Sequence, residues 1–131
     1  MEEAKLRIKE ELEKARKRLE AAELLFEKGM LEDAINRIYY AIFYAARAIL
    51  NVLGFDAKTH SGVISEFGLR VIKPKKLDRK YGQILRKAFE MRESGDYELG
   101  IIFEEEEVKK LLKEAKDFLQ AANKFVKEKM D

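Results

Sequence analysis

Apolar residues recur at steps of three and four positions along most of this chain, and this spacing restricts its fold more than any other feature of the sequence. Such steps place residues on one side of an α-helix. The first series consists of Ile8, Leu12, Ala15, Leu19, Ala22 and Phe26, and the last consists of Val108, Leu111, Leu112, Ala115, Phe118, Ala122 and Phe125. No segment alternates apolar and polar residues as a half-buried strand does. The spacing therefore predicts an all-α protein.

Glycines, a proline and capping residues divide this pattern into separate helices. We predict helices over residues 2–28, 31–53, about 60–72 with Thr59 or Ser61 as its cap, Leu77 to about Arg92, and Glu104–Glu107 onward. Breaks are predicted at Gly29, at Gly54, at Lys73-Pro74-Lys75 and at the turn-forming sequence Ser94-Gly95-Asp96-Tyr97. The expected architecture is one domain over residues 1–131, an up-and-down helical bundle of four long helices and one short helix.

The composition excludes several kinds of chemistry. The 131 residues include no cysteine and one histidine, and no glycine precedes a Lys-Ser/Thr pair, so we expect neither a zinc site nor a phosphate loop. The longest uncharged run has nine residues, Ile38–Ala46, whereas a helix needs roughly 20 apolar residues to cross a bilayer. The N-terminal residues also lack the apolar stretch of a signal peptide. We therefore expect a cytoplasmic protein with no cofactor, no metal and no membrane partner.

Positive charge is concentrated in the middle of the chain. The net charge is only +2, yet residues 55–92 contain ten basic and four acidic side chains. Most of the excess comes from Lys73, Lys75, Lys76, Arg79, Lys80, Arg86 and Lys87. An anionic ligand or a nucleic-acid backbone would be attracted to such a region, although short clusters of Lys and Arg are also common on solvated surfaces.

The second predicted helix is unusual on the side opposite its apolar face. That side carries Arg37, Tyr40, Tyr44, Arg47 and Asn51 and contains neither Lys nor Glu. A solvated face in so charged a protein is expected to contain both, so this face is expected to be covered. Tyr and Arg are favoured at protein interfaces, which indicates a homodimer. Packing of both tyrosines within the same bundle is the alternative.

Arg92 is the main candidate for a binding residue. It continues the apolar face of the fourth helix after Leu85 and Ala88, and a buried guanidinium requires an anionic partner. Asp96, four residues later, is the nearest candidate for that partner if the helix extends that far. His60, at the start of the short helix, is expected to be a capping or packing residue.

Three segments together resemble a known family. They are RIYYAIFYAARAIL at 37–50, KTHSGVI at 58–64 and MRESGDY at 91–97. In this order and spacing they are similar to the HEPN domain, the "higher eukaryotes and prokaryotes nucleotide-binding" family, and the similarity covers nearly the whole chain. It implies a helical bundle that commonly forms homodimers. It also implies a prokaryotic operon in which the protein is paired with a minimal nucleotidyltransferase in a toxin–antitoxin-like module.

The same resemblance bears on catalysis. Active family members are metal-independent ribonucleases in which an arginine is followed a few residues later by a histidine. In this chain Arg92 matches the arginine, but residues 93–97 contain no histidine, and residues 53–55 ahead of His60 contain no arginine. Without an imidazole at that place no general acid or base is evident. We therefore carry over the arginine, assign no catalytic residue and do not expect an enzyme.

The resemblance further implies that the partner enzyme adenylylates a tyrosine beside the motif, for which Tyr97 is the matching residue. The candidate nucleotide- or RNA-binding residues are Arg92, Asp96, Tyr97, His60 and Lys58, and the candidate interface residues are Arg37, Tyr40, Tyr44 and Arg47. Three functions remain open. In order of preference they are a nucleotide- or RNA-binding subunit acting with a nucleotidyltransferase, a homodimeric interaction module without its own ligand, and a weak metal-independent ribonuclease.

Overall fold

Five α-helices and one π-helical turn form the part of the chain that the computed structural model describes, namely residues 2–97 and 102–131, with the backbone alone at Asp96 and Tyr97. The helices are α1 (Glu2–Glu27), α2 (Leu31–Val52), α3 (His60–Phe67), α4 (Lys80–Tyr97) and α5 (Glu105–Met130), and the π-helical turn is Gly68–Ile72. No strand occurs in these residues. The predicted bundle of four long helices and one short helix is therefore confirmed.

The helix ends are set by the residues that the sequence indicated. Gly29 and Gly54 have φ angles of 76° and 92°, a left-handed conformation that favours glycine and ends a helix. Thr59 caps α3, because its hydroxyl oxygen accepts a hydrogen bond from the backbone N–H of Gly62 at 3.0 Å. At α5, the side chains of Glu104 and Glu107 form a capping box.

Helix α2 lies at the centre of the bundle and packs against α1, α3, α4 and α5. Its predicted apolar face is buried, and so are the alanines on its other sides, such as Ala41 and Ala48. Small side chains at these positions let the neighbouring helices approach closely. Because α2 is enclosed on most sides, each of its aromatic residues lies against another helix or at a junction between helices.

The turn predicted at Ser94-Gly95-Asp96-Tyr97 is wrong, because α4 continues to Tyr97. Gly95 is half-buried in this helix, and a Cβ atom there would lie 3.2 Å from the ring of Phe103 and 3.4 Å from Cγ of Glu32. The glycine therefore allows close packing rather than a turn. Helix α4 also begins later than Leu77, at Lys80, whose backbone N–H donates to the Asp78 carboxylate at 2.8 Å.

The segment predicted as one short helix, 60–72, has two parts. Its first eight residues form α3, and the next five form the π-helical turn, in which the backbone N–H of Lys73 donates to the carbonyl of Gly68 at 2.9 Å. A π-helical turn widens the backbone and changes the direction of the chain. It carries the chain from α3 toward the start of α4, so that α3 and α4 lie side by side.

Candidate functional site

A hydrogen bond between the middle of α2 and the start of α3 is the basis of the candidate site. The phenolic oxygen of Tyr39 lies 2.6 Å from Nδ1 of His60. Tyr39 is fully buried in the core, whereas His60 is half-buried. Because Gly54 ends α2 and Thr59 caps α3, the connecting segment is short and brings the imidazole back over α2.

The protonation state of this pair follows from its surroundings. Burial raises the pKa of Tyr39 well above its ordinary value, against a smaller opposing effect of Arg92, so the phenol keeps its proton. A buried hydroxyl hydrogen needs an acceptor, and Nδ1 of His60 is the acceptor in reach. Burial, and then the positive charge of Arg92, lower the pKa of His60. A neutral imidazole that accepts at Nδ1 carries its proton on Nε2, where it acts as a donor.

Arg92 of α4 lies over two tyrosine rings of α2. Its guanidinium carbon is 5.5 Å from the ring centre of Tyr39 and 5.6 Å from that of Tyr40. Both distances fall within the range of a cation–π interaction, which holds a cation at a partly buried position. The rings hold the guanidinium by its face, whereas the N–H groups along the edge of a guanidinium are the donors with which it binds anions.

Two further aromatic rings enclose His60. Phe43 of α2 and Phe89 of α4 have ring centres 4.9 Å and 6.4 Å from that of the imidazole. The carboxylate of Glu93 is close enough to raise the pKa values of Tyr39 and His60 and offsets part of the effect of Arg92. We call Tyr39, Tyr40, Phe43, His60, Phe89 and Arg92 the Arg92–His60 cluster. The cluster holds one cation, Arg92, and one neutral imidazole donor, His60, against a layer of aromatic rings.

The structure places the predicted binding residues unequally. Arg92 and His60 lie together in the cluster, although they are far apart in sequence and in the reverse order of the family motif. Lys58 is exposed in the segment just before α3. Asp96 and Tyr97 belong to the last turn of α4 by their backbone, while their side chains lie outside the described residues, so their binding roles stay predictions.

The predicted interface face of α2 is partly covered within the chain. Lys14 and Arg18 of α1 lie 5.4 Å and 5.8 Å from the ring centre of Tyr44. Arg47 lies 3.6 Å from carboxylate oxygens of both Glu11 and Asp56. Packing within the bundle thus accounts for these two candidates. Arg37 is exposed and Tyr40 is half-buried, and the homodimer prediction rests on this end of the face.

Glu11 is the buried carboxylate of the structure, with 6% of its surface exposed. The side-chain amide of Asn51 donates to its Oε1 at 2.9 Å, while its Oε2 has no hydrogen-bond partner among the described residues. Burial raises the pKa of Glu11 against the lowering effect of Arg47. The carboxylate belongs to the α1–α2 contact rather than to the Arg92–His60 cluster.

Neither a metal-binding group nor a membrane-spanning helix is found in residues 2–97 and 102–131. There is no group of three or more His, Cys, Asp or Glu side chains that would hold a metal ion. No helix within those residues is long and apolar enough to cross a membrane.

Sequence reasoning missed Tyr39, Phe43 and Phe89 as members of the site. Tyr39 and Phe43 lie within the uncharged run of α2, and the spacing assigned them to neither face of that helix. A useful signal was present: a tyrosine on a fully buried face needs a partner for its hydroxyl, and the single histidine follows soon after α2 ends. The pairing itself depends on the direction of the segment 53–59, which the pattern does not specify.

The fold and the cluster together define a small all-α bundle protein with an arginine and a histidine held between three helices. The HEPN domain family model matches residues 8–126, nearly the whole described bundle. This chain belongs to the HEPN domain family.

Curated relatives from several prokaryotes agree with this assignment. A UPF0332 protein of Thermotoga maritima is 38% identical over 115 residues, which cover 88% of this chain and 87% of that protein. Two proteins of Methanocaldococcus jannaschii are each named as a candidate toxin. One is 36% identical over 125 residues, covering 92% of this chain and 85% of the relative, and the other is 37% identical over 117 residues, covering 89% and 87%.

Proposed function

We propose that this protein binds the phosphate groups of RNA or of a nucleotide at the Arg92–His60 cluster, as the HEPN component of a toxin–antitoxin-like module. The observation that carries the proposal is the half-buried Arg92 held over Tyr39 and Tyr40 next to a neutral His60. Two donors of different kinds thus lie in one small cluster. The toxin names of two relatives support the module.

The arrangement suits phosphate binding for a physical reason. A guanidinium offers parallel N–H groups that match two oxygens of a phosphate, and a neutral imidazole adds a single N–H donor without a second buried charge. Tyr40 is half-buried, and the exposed part of its ring adds an aromatic surface for base stacking. Lys58 is exposed two residues before His60 and adds positive potential beside the cluster.

The test is an RNA titration in the presence of a chelator, with binding and cleavage measured in the same samples. The variants are Arg92→Gln and, as a matched control, Arg16→Gln, since Arg16 is an exposed α1 residue paired with Glu13 and Glu20. We expect Arg92→Gln to weaken binding about tenfold or more, in line with a loss of about 1–3 kcal/mol for a specific arginine contact. Arg16→Gln is expected to bind like the parent protein. Equal affinities of Arg92→Gln and the parent protein would remove the cluster from the proposal.

A metal-independent ribonuclease is the second candidate function. The proximity of His60 to Arg92 favours it, because the family's ribonucleases combine these two residue types. In the present geometry Nδ1 accepts from Tyr39, so Nε2 begins as a donor rather than as a base. Cleavage in chelator that disappears in both Arg92→Gln and His60→Gln supports this candidate, whereas intact RNA with retained binding supports the binding function alone.

The third part of the proposal concerns the partner. The family resemblance supports a nucleotidyltransferase that modifies Tyr97, the last residue of α4 and five residues beyond Arg92. Incubation with a cognate minimal nucleotidyltransferase and ATP is expected to add one adenylyl mass to the parent protein and none to Tyr97→Phe. Equal mass increases in both proteins would assign the modification to another residue.

A further inference from the structure

A groove between α3, the π-helical turn and α4 continues away from the Arg92–His60 cluster. It has a volume of about 240 Å³. Its apolar floor and polar rim include Phe67, Ile72, Leu85, Arg79, Gln83 and Arg86. Gly82 allows α4 to lie against the π-helical turn here, because a Cβ atom at that position would be 3.1 Å from Cγ1 of Ile72. The groove is therefore built by close packing of the two elements.

The basic residues of the middle segment separate into two groups in the structure. Lys80 and Lys87 point toward α5, where they pair with Asp117 at 3.0 Å and Glu114 at 2.9 Å. Arg79 and Arg86 line the groove and are exposed. Neither guanidinium makes an ion pair or hydrogen bond with a described residue. The groove thus carries two positive charges with which no described residue pairs.

The spacing of these arginines fits an extended anion. Arg79, the residue before α4, and Arg86 of α4 are seven residues apart, which corresponds to roughly 10 Å along the helix axis. Arg92 is six residues further on, so the three arginines extend over roughly 20 Å. A single nucleotide does not cover this length, whereas an RNA strand presents phosphates along all of it.

The groove and the cluster are connected by residues that lie one helical turn apart on α3 and on α4. Phe89, whose ring lies 6.4 Å from that of His60, is one helical turn from Arg86 on α4. Ile64, which also lines the groove, is one turn from His60 on α3. The contact line between α3 and α4 therefore leads from the cluster directly into the groove.

We propose that this groove binds the phosphodiester backbone of a single RNA strand while another phosphate of the same strand occupies the Arg92–His60 cluster. The inference rests on the proposed function and selects its polynucleotide form over the mononucleotide form. Arg79 and Arg86 contact phosphates, which set position and affinity without reading sequence.

The experiment measures fluorescence anisotropy with a labelled single-stranded RNA of about 12 nucleotides, a length within the range of known single-strand sites, and with labelled AMP. The test variant is Arg79→Gln with Arg86→Gln. The control is Arg16→Gln with Lys17→Gln, which removes the same charge from exposed positions of α1. Circular dichroism checks that both variants are helical.

We expect the Arg79/Arg86 variant to bind RNA at least tenfold more weakly than the control variant. Its affinity should also depend less on salt, with the slope of log K against log salt reduced by about 1.4, or about 0.7 for each lost phosphate contact. Binding of AMP should be equal in the two variants, because AMP occupies the cluster alone.

Two results would contradict RNA binding in the groove and leave the proposed function in place. The first is equal RNA affinities of the test and control variants while Arg92→Gln binds more weakly. The second is an equal loss of RNA binding and AMP binding in the test variant. A parent protein that binds AMP but no RNA would overturn the groove alone, and one that binds neither would overturn both proposals. Binding to anionic phospholipid vesicles that is lost in the Arg79/Arg86 variant, with no RNA binding by the parent protein, would assign the groove to a membrane surface instead.

Discussion

Tyr39 and His60 are joined by a 2.6 Å hydrogen bond that links the centre of the bundle to the first turn of α3. The tyrosine is fully buried and rigid, so it determines where the imidazole lies. Because Arg92 is held over the ring of the same tyrosine, one residue of α2 positions both polar groups of the candidate site.

Replacing Tyr39 by Phe removes this hydrogen bond and leaves the packing of the ring in place. We expect the free energy of unfolding to fall by about 1–3 kcal/mol, since Nδ1 of a half-buried histidine loses its partner. Urea unfolding measures the change. Tyr40→Phe is the control, because the Tyr40 hydroxyl makes no described hydrogen bond, and it should be nearly neutral. Similar losses in both variants would mean that the hydrogen bond contributes little.

The lowered pKa of His60 makes the stability depend on pH in one direction. The unfolded chain titrates near the ordinary value of 6.5 and the folded chain below it, so the unfolded state binds more protons between the two values. This contribution to stability is complete above pH 6.5 and is lost as the pH falls through the folded pKa.

His60→Gln isolates the effect, because glutamine does not titrate. We expect the stability advantage of the parent protein over His60→Gln, from urea unfolding at several pH values, to shrink as the pH falls below 6.5. An advantage that is constant between pH 7.5 and 5 would contradict the assignment of a depressed pKa.

Much of the fold was predictable because it depends on local chemistry. The apolar spacing, Gly29, Gly54 and Thr59 specify where helices begin and end, and the structure agrees with them. The turn predicted at Ser94-Gly95 was wrong because glycine occurs both in turns and where elements pack closely. Only the position of Phe103 shows that Gly95 belongs to the second case.

The candidate site was predictable only in part. Arg92 was recognisable from the pattern of its own helix alone, because it is a cation on an otherwise apolar face. The approach of His60 to Arg92 depends on how three helices pack, and sequence spacing along one helix carries no information about it. The same limit applies to Arg79 and Lys80, adjacent residues of which one lines a groove and the other pairs with Asp117.

Two glycines near the site should respond oppositely to alanine. A Cβ atom at Gly62 would lie 2.7 Å from Oγ1 of Thr59, so Gly62→Ala displaces the cap of α3 and should lower stability by about 1 kcal/mol. Gly68 has helical angles and nothing within 4 Å of an added Cβ, so Gly68→Ala should raise stability by about 0.5–1 kcal/mol. Thermal unfolding of the two variants compares them, and a change of the same sign in both would refute the difference.

The buried Glu11 should be replaceable by Gln with a gain in stability near neutral pH. Its pKa is raised from 4.5 mainly by burial, so the folded state binds more protons than the unfolded state, and ionisation makes folding less favourable as the pH rises above 4.5. Glutamine keeps the acceptor for Asn51 and removes the charge. The gain should grow from pH 4.5 to 7 in urea unfolding, and Glu10→Gln, an exposed neighbour, should show no such growth.

Arg92→Lys tests whether the planar guanidinium matters or only its charge. Lysine keeps the positive charge but lacks the paired N–H groups and stacks less well on Tyr39 and Tyr40. We therefore expect RNA affinity between those of the parent protein and Arg92→Gln, with a loss of about 1 kcal/mol or more relative to the parent protein. Titrations at two salt concentrations separate the contributions, because Arg92→Lys should keep the parent salt slope while Arg92→Gln reduces it. An Arg92→Lys variant that binds as tightly as the parent protein would show that the cluster supplies charge alone, and the stacked geometry would then have no role in binding.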